Sequence, residues 1–139
     1  MATPNLTTKA RDLMQTRIVA VTRQYSARDL SILIHSGTYS GVPVIEPGNR
    51  LVGMVTEFDV LKALIDGKDL HILKAEDVMT PQPVTVEETA TAGEIVKKMI
   101  EHQIIRIPVV REGRLLGMIS RTDLLNHLID NHLINVYGG

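Results

Sequence analysis

Two stretches of the chain place a hydroxyl three residues before a carboxylate, each time after a Gly-Met pair. They read GMVTEFD, which ends at Asp59, and GMISRTD, which ends at Asp123. Each stretch passes from an apolar run with strand character into a run with helical spacing of its apolar residues. We therefore expect each pair, Thr56 with Asp59 and Ser120 with Asp123, to lie where a strand ends and a helix begins.

Two kinds of chemistry fit this pairing. The first is a capping box, in which hydroxyl and carboxylate satisfy free N–H groups at the helix start. The second is a nucleotide site, because a helix N-terminus suits phosphate and a carboxylate can accept both hydrogen bonds of a ribose diol. The preferred box residue is Glu or Gln, yet both copies carry Asp. A Gly inside a strand often marks close approach of a ligand or of another backbone. Both interpretations stay open, and one residue pair can serve both.

The rest of the composition argues against most other chemistry. The 139 residues include no Cys, and the 5 His show no metal-binding spacing, so we expect no metal site. No phosphate-binding loop, dinucleotide glycine motif or serine elbow occurs, so we expect neither catalysis nor a required cofactor.

Charge and hydropathy indicate which binding partners and which cellular compartment to expect. The net charge of −1 and the aromatic content of 3% do not favour a nucleic-acid surface. No apolar run approaches the roughly 20 residues of a membrane span, and the N-terminus lacks the apolar core of a signal peptide. We therefore expect a cytoplasmic protein with no membrane or nucleic-acid partner.

The two motifs belong to a longer internal repeat. DLMQTRIVAV from Asp12 aligns with DVMTPQPVTV from Asp77, and RLVGMVTEFDVL from Arg50 aligns with RLLGMISRTDLL from Arg114. The copies lie about 65 residues apart. We expect a first repeat with the N-terminal segment over residues 1–66, a linker over 67–76, and a second repeat with the C-terminal tail over 77–139. One repeat is too small to bury its own faces well, so the two should form one globular module.

Each repeat predicts the element order β-α-β-β-α, an α/β (α+β) fold. The first strand is expected at IVAV from Ile18 and at PVTV from Pro83. A helix follows, starting near Ser26 in the first copy and near Thr91 in the second. The predicted apolar stripes are Leu30, Leu33 and Ile34, and Ile95, Val96, Met99 and Ile100. Two strands joined by the turns EPGN or EG come next, and a last helix begins near Glu57 or Arg121.

The order of these marks resembles the CBS domain family, named after cystathionine β-synthase, and the tandem pair resembles a stand-alone Bateman module. The marks are the D-[LV]-M opening, the [VI]-P-V strand, the R-L-[VL]-G-M strand and the closing G-M-[VI]-[TS]-x-x-D. The resemblance covers nearly the whole chain and implies two units packed as a pseudo-two-fold pair. It implies a regulatory sensor that binds an adenosyl ligand, such as AMP, ADP, ATP or S-adenosylmethionine, in clefts between the units. The competing function is a structural dimerisation or interaction module with vestigial ligand sites.

The resemblance also assigns roles to single residues. It implies that Asp59 and Asp123 hold the ribose hydroxyls, and that Thr56 and Ser120 contact ribose or phosphate. The Pro in each second strand cannot donate to a ladder, so it belongs on an edge or beside a gap, where the resemblance places adenine. The residues expected around the adenine are Ala20, Val42, Pro43, Met54, Thr85, Ile107, Pro108 and Met118. For the methionines, plain core filling is the competing interpretation.

The two copies differ in charge near these motifs. Arg106 precedes the second Ile-Pro pair where Gly41 stands in the first copy, and Arg121 stands where the first copy has Glu57. Guanidinium groups suit phosphate, so the second site is expected to prefer phosphorylated ligands. The competing interpretation is that Arg106 and Arg121 are solvated surface residues.

The last helix of each repeat carries more apolar residues than one internal face needs. These residues are Val60, Leu61, Ala63, Leu64 and Ile65 in the first copy and Leu124, Leu125, Leu128, Ile129 and Leu133 in the second. Wide apolar surfaces usually find a partner, and two-fold dimers are the commonest solution. We expect a homodimer through these helices, as the resemblance also implies, and a regulated protein partner.

Overall fold

The computed structural model describes residues 5–37 and 39–137, with side chains described as far as residue 129. The chain has an α+β fold and divides into two compact units. The first unit comprises Val19–Pro83 and Gly113–Leu115. The second comprises the described residues of Met1–Ile18, Val84–Glu112 and Leu116–Gly139. Each unit carries one copy of the Gly-Met motif.

The elements follow one another in an order that repeats once. They are α1 (Ala10–Leu13), β1 (Val21–Thr22), α2 (Ala27–His35), β2 (Gly41–Glu46), β3 (Arg50–Thr56), α3 (Glu57–Ile65), α4 (Ala75–Val78), β4 (Thr80–Pro81), β5 (Val86–Glu87), α5 (Ala92–His102), β6 (Arg106–Arg111), β7 (Arg114–Ser120) and α6 (Arg121–Tyr137). The predicted β-α-β-β-α order is confirmed, with a short helix added before each first strand and with the additional short strand β4 in the second copy. Among the described residues, no helix has the length and apolarity needed to cross a bilayer.

The first unit is built on the antiparallel pair β2 and β3. β1 lies parallel to β2 with Val21 opposite Val44, and β4 lies antiparallel to β3 with Thr80 opposite Met54. The helices α2 and α3 contact these strands. The core is apolar and includes the fully buried Leu30 and Val55. This packing fixes the end of β3, where Thr56 begins the site.

The second unit repeats this plan with its own core. β5 lies parallel to β6 with Val86 opposite Val109, and β6 is hydrogen-bonded to β7. Ile95 of α5 and Ile119 of β7 are fully buried in its core. The end of β7 therefore holds Ser120 as the end of β3 holds Thr56.

The predicted helix starts are confirmed by their caps. The Ser26 hydroxyl accepts a hydrogen bond from the Asp29 amide at 3.3 Å, and the Thr91 hydroxyl accepts one from the Glu94 amide at 3.3 Å. Of the predicted stripes, Leu30, Ile34, Ile95 and Met99 are buried in the cores, and Leu33 and Val96 are half-buried. Ile100 is exposed, because α5 buries Ile95 and Met99 and turns its next position to the outside.

The predicted first strands are too long. Of IVAV and PVTV, only Val21 and Val86 belong to strands, and Ala20 and Thr85 precede them. The physical reason is that parallel pairing begins only at Val44 on β2 and at Val109 on β6. Residues before those positions have no strand partner there.

The segment before each first strand packs in the unit that carries the other motif. In the second unit, the Ala10 amide donates to the Ala90 carbonyl at 2.7 Å. In the first unit, the Ala75 amide donates to the Tyr25 carbonyl at 2.7 Å. The compact units are therefore discontinuous in sequence, and the repeat boundaries at residues 66 and 77 remain a prediction.

Candidate functional site

The first candidate site lies at the start of α3, where Thr56 and Asp59 form a complete capping box. The Asp59 amide donates to the Thr56 hydroxyl at 3.4 Å, and the Thr56 amide donates to Oδ2 of Asp59 at 2.7 Å. The Thr56 hydroxyl also donates to Oδ2 at 3.0 Å. The structural interpretation of the motif is thus correct in the first unit, and it occupies one carboxylate oxygen.

The second candidate site lies at the start of α6 and has the same geometry. The Ser120 amide donates to Oδ2 of Asp123 at 2.9 Å, and the Asp123 amide donates to the Ser120 hydroxyl at 3.1 Å. Capping therefore accounts for Oδ2 in both units. The question of a ligand depends on the other oxygen, Oδ1.

A third residue, which the sequence analysis missed, contacts Oδ1 in each unit. The Thr80 hydroxyl donates to Oδ1 of Asp59 at 2.8 Å. The Gln15 side-chain amide donates to Oδ1 of Asp123 at 3.4 Å, a long contact from an exposed side chain. Thr80 and Gln15 each follow the Met of the D-[LV]-M opening. Their shared position in the repeat was the sequence signal that could have found them.

Backbone pairing holds both of these residues beside the Gly-Met motif. Thr80 lies opposite Met54 in the ladder between β3 and β4. Gln15 and Met118 exchange two backbone hydrogen bonds, at 2.8 and 3.0 Å. Each motif is therefore completed by a segment from a distant part of the chain.

The motif glycines make room for that same segment. A Cβ atom on Gly53 would lie 2.4 Å from Sδ of Met79 and 3.1 Å from the Thr80 carbonyl oxygen. A Cβ atom on Gly117 would lie 2.6 Å from Sδ of Met14 and 2.9 Å from the Gln15 carbonyl oxygen. A strand glycine can mark the close approach of a ligand or of another backbone. At both motif glycines, the segment that approaches is another part of the chain.

The residues expected around an adenine form four equivalent pairs. Val42 and Ile107 are fully buried in the cores of their units. Pro43 and Pro108 are fully buried one residue before β2 and β6 gain their parallel partners. Met54 and Met118 are buried too, while Ala20 and Thr85 are half-buried. Each proline thus lies beside the point where the parallel ladder stops.

One backbone acceptor near the expected adenine edge already has a donor. The Lys98 ammonium group donates to the Thr85 carbonyl oxygen at 2.7 Å. A ligand that used this carbonyl would share it with Lys98.

The two arginines of the second copy lie at element starts. Arg106 is half-buried at the first residue of β6, and Arg121 is exposed at the first residue of α6. The Arg121 amide donates to the Ile105 carbonyl oxygen at 2.8 Å, which ties the start of α6 to the segment before Arg106. In the first unit the equivalent of Arg121 is the exposed Glu57.

A groove of about 290 Å³ opens beside Asp59 in the first unit. Thr80, Lys62, Lys68 and Asp66 lie along it. The Asp59 end of α3 is therefore accessible, and the groove carries charges of both signs. Within the described part of the chain, no group of three or more acidic or histidine side chains could hold a metal ion.

The family model of the CBS domain matches residues 10–66 and 75–130. The chain therefore belongs to the CBS domain family and carries two CBS domains in tandem. The resemblance noted in the sequence is confirmed.

Known proteins similar to this chain agree with that assignment. Protein YlbB of Bacillus subtilis is 34% identical over 118 residues, which cover 84% of this chain and 80% of that protein. The crystal structure of Hypoxic Response Protein I with two coordinated zinc ions has a TM-score of 0.78 and 30% identity, covering 87% of this chain and 99% of that one. The source of hypoxic response protein 1 is Mycobacterium tuberculosis. CBSX2 of Arabidopsis thaliana in complex with AMP has a TM-score of 0.74 and 27% identity, covering 85% and 93%.

The family and these neighbours identify the chain as a regulatory protein and not an enzyme. This conclusion agrees with the lack of catalytic motifs in the sequence.

Proposed function

We propose that this chain is a regulatory module that binds an adenosyl ligand, with Asp123 as the stronger of two ribose acceptors. The supporting observation is the state of the Asp123 carboxylate. Its Oδ2 is fixed by the cap, whereas, within the described part of the chain, its Oδ1 receives only the 3.4 Å contact from the exposed Gln15. A ribose hydroxyl can replace that amide without disturbing the helix start.

The rest of the ligand is assigned to residues of the same unit. Adenine would lie against Ile107, Pro108 and Met118 near Thr85, and phosphate would meet Ser120, Arg106 and Arg121. The corresponding residues of the first unit are Ala20, Val42, Pro43, Met54, Thr56 and Asp59. The complex of CBSX2 with AMP supports an adenine nucleotide as the ligand class. Because guanidinium groups attract phosphate, AMP should bind the second site more tightly than adenosine does, and that excess should fall as salt rises.

A calorimetric titration of Asp123→Ala with adenosine and AMP tests the proposal. Loss of the cap should lower the free energy of unfolding by about 1 kcal/mol. Loss of a hydrogen bond to a charged group should weaken binding by roughly 1.5–3 kcal/mol, or about 10-fold to 150-fold. A first screen by thermal shift with adenosine, AMP, ADP, ATP and S-adenosylmethionine would select the ligand.

Thr91→Ala is the matched control, because Thr91 caps α5 in the same unit and is outside the proposed site. It should lower stability by a similar amount and leave affinity unchanged. If Asp123→Ala behaves as Thr91→Ala does, Asp123 is only a cap and the binding proposal is wrong.

We also propose that the chain forms a homodimer, chiefly through α3. Phe58 and Ile65 are 81% and 86% exposed, and Leu61 and Leu64 are exposed beside them. The face predicted from sequence differs in detail, because Ala63 is buried and Phe58 was not included. In α6, Leu125 is exposed and Leu124 is buried in the core, while Leu133 lies outside the described side chains.

Light scattering at tens of micromolar should give the mass of two chains. A monomer would contradict the dimer proposal. A dimer that binds none of the adenosyl compounds would favour the alternative function, a dimerisation module with vestigial sites. A regulated protein partner and a cytoplasmic location stay predictions.

A further inference from the structure

Two arginines face each other across neighbouring strands in the first unit. Arg50 of β3 and Arg114 of β7 are direct antiparallel partners. The Leu51 amide donates to the Gly113 carbonyl at 3.0 Å, and the Leu115 amide donates to the Asn49 carbonyl at 2.8 Å. Hydrogen bonds that flank a residue pair in this way define the non-hydrogen-bonded position, where side chains on one face approach most closely.

The glycine before Arg114 leaves room for the Arg50 side chain. A Cβ atom on Gly113 would lie 3.3 Å from Nη1 of Arg50, and Gly113 has a φ of 79°. The Arg50 side chain therefore extends over the backbone of the residue next to Arg114. Both arginines are exposed, and their positions are directly opposite in the ladder.

Little negative charge balances these two arginines. Oε1 of Glu46 is 4.0 Å from Nε of Arg50, and the same carboxylate accepts a hydrogen bond from Arg23 at 3.4 Å. The Arg114 side chain has no ion pair or hydrogen bond with the residues that the structure describes. The nearest carboxylate in sequence, Glu112, lies two residues before Arg114 and forms no ion pair with it. Like charges directly opposite one another in a sheet are destabilising.

We propose that Arg50 and Arg114 bind a phosphoryl group, at a site separate from the ribose sites. Two planar guanidinium forks can each donate two parallel hydrogen bonds to one phosphoryl group, and a bound dianion would relieve their mutual repulsion. Arg50 begins β3 and Thr56 ends it, so the proposed site lies about 20 Å along the strand from the Asp59 cap. The proposed phosphoryl site is therefore distinct from the proposed adenosyl sites, and it can be tested independently of them.

Inorganic pyrophosphate is the probe that tests the site without any nucleoside. At low salt it should raise the melting temperature of the wild-type protein, and its affinity should fall at least 10-fold in Arg114→Gln. Without pyrophosphate, Arg114→Gln should melt about 1–4 °C higher than wild type, because the repulsion is gone. That gain should disappear at high salt. Arg50→Gln should give the same gain, and the double variant should give no more.

Arg28→Gln is the control, because Arg28 is an exposed arginine of the same unit that already pairs with Asp29. It should keep the pyrophosphate response. An unchanged response in Arg114→Gln, an equal loss in Arg28→Gln, or a lower melting temperature of Arg114→Gln without anion would each overturn the proposal. An Arg114-dependent response to AMP but not to pyrophosphate would support the phosphoryl site and assign its ligand to a nucleotide.

Discussion

Asp59 and Asp123 occupy equivalent positions in the two repeats, yet their carboxylates differ in how strongly Oδ1 is already hydrogen-bonded. Both use Oδ2 to accept the amide of the cap residue, at 2.7 and 2.9 Å. At Oδ1, Asp59 has a firm hydrogen bond from the Thr80 hydroxyl at 2.8 Å, and Asp123 has a 3.4 Å contact from Gln15. The motif alone thus determines the cap, and a residue far away in sequence determines how open the site is.

The difference has a simple chemical origin. Threonine has a short side chain, so once its backbone is paired with Met54 its hydroxyl is held close to Asp59. Glutamine has a longer side chain, and that of Gln15 is exposed, so holding its amide against Asp123 costs more rotamer entropy. A ligand hydroxyl should displace the glutamine more easily than the threonine.

The largest expected effect comes from filling the space at the motif glycines, because this displaces the segment that carries the third partner. Gly53→Ala and Gly117→Ala should each destabilise the protein by about 1–3 kcal/mol, the usual cost of overpacking. In both variants the nearest atoms belong to a flexible methionine. Gly117→Ala should cost more, since its Cβ would lie 2.9 Å from the Gln15 carbonyl oxygen, whereas that of Gly53→Ala would lie 3.1 Å from the Thr80 carbonyl oxygen. Urea unfolding measures both effects.

Gly93→Ala is the control for that experiment. Its Cβ would meet Leu6 at an ordinary 3.5 Å, and alanine is a better helix residue than glycine by roughly 0.5–1 kcal/mol. We expect no destabilisation there. Wild-type stability of both motif variants would mean that the close approach of Met79 and Met14 is not a constraint.

The next largest effect is expected from changing the residue that donates to Oδ1 of each aspartate. Thr80→Val keeps the shape of Thr80 and removes its donor, which frees Oδ1 of Asp59. Adenosine should then bind the first site more tightly, by up to about 1 kcal/mol or some five-fold. Gln15→Thr should do the reverse at the second site if the shorter side chain reaches Asp123. Isothermal titration of each variant gives the two affinities, and unchanged affinities in both would show that Oδ1 is not where ribose binds.

The elements could be predicted from the sequence because their signals are local. Apolar spacing and the caps at Ser26 and Thr91 gave the helices, and the positive φ of Asn49 and Glu112 occurs in turns that the sequence placed correctly. The third partner could not be predicted, because Thr80 meets Asp59 only after two distant segments pair. Ile100 was wrongly placed in the core, and Phe58 was left out of the predicted exposed face, for a related reason. Apolar spacing gives a stripe but not where the covered part of the stripe ends.

The smallest effect concerns an ion pair that the repeats carry with reversed charge. In the first unit Arg23 pairs with Glu46 at 3.4 Å. In the second unit the equivalent positions are Glu88 and Arg111, and the Arg111 guanidinium donates two hydrogen bonds to Glu88, one of them at 2.9 Å. The hydrogen bond from Arg111, followed by its charge, lowers the pKa of the Glu88 carboxyl. The contribution of the second pair to the free energy of unfolding should therefore depend on pH.

Because the pKa of Glu88 is lower in the folded state, the unfolded chain binds more protons between the two values. The stabilisation by this pair should be complete above the ordinary glutamate pKa of about 4.3 and should be lost as pH falls through the lower folded value. Glu88→Gln should flatten the acid limb of a plot of unfolding free energy against pH, slightly, because the pair lies at the surface. Reversal of both charges, Glu88→Arg with Arg111→Glu, copies the first unit and should recover stability that either single reversal loses. If the double reversal is no more stable than the single ones, the two positions are not coupled and the mirrored pair is a coincidence of the repeat.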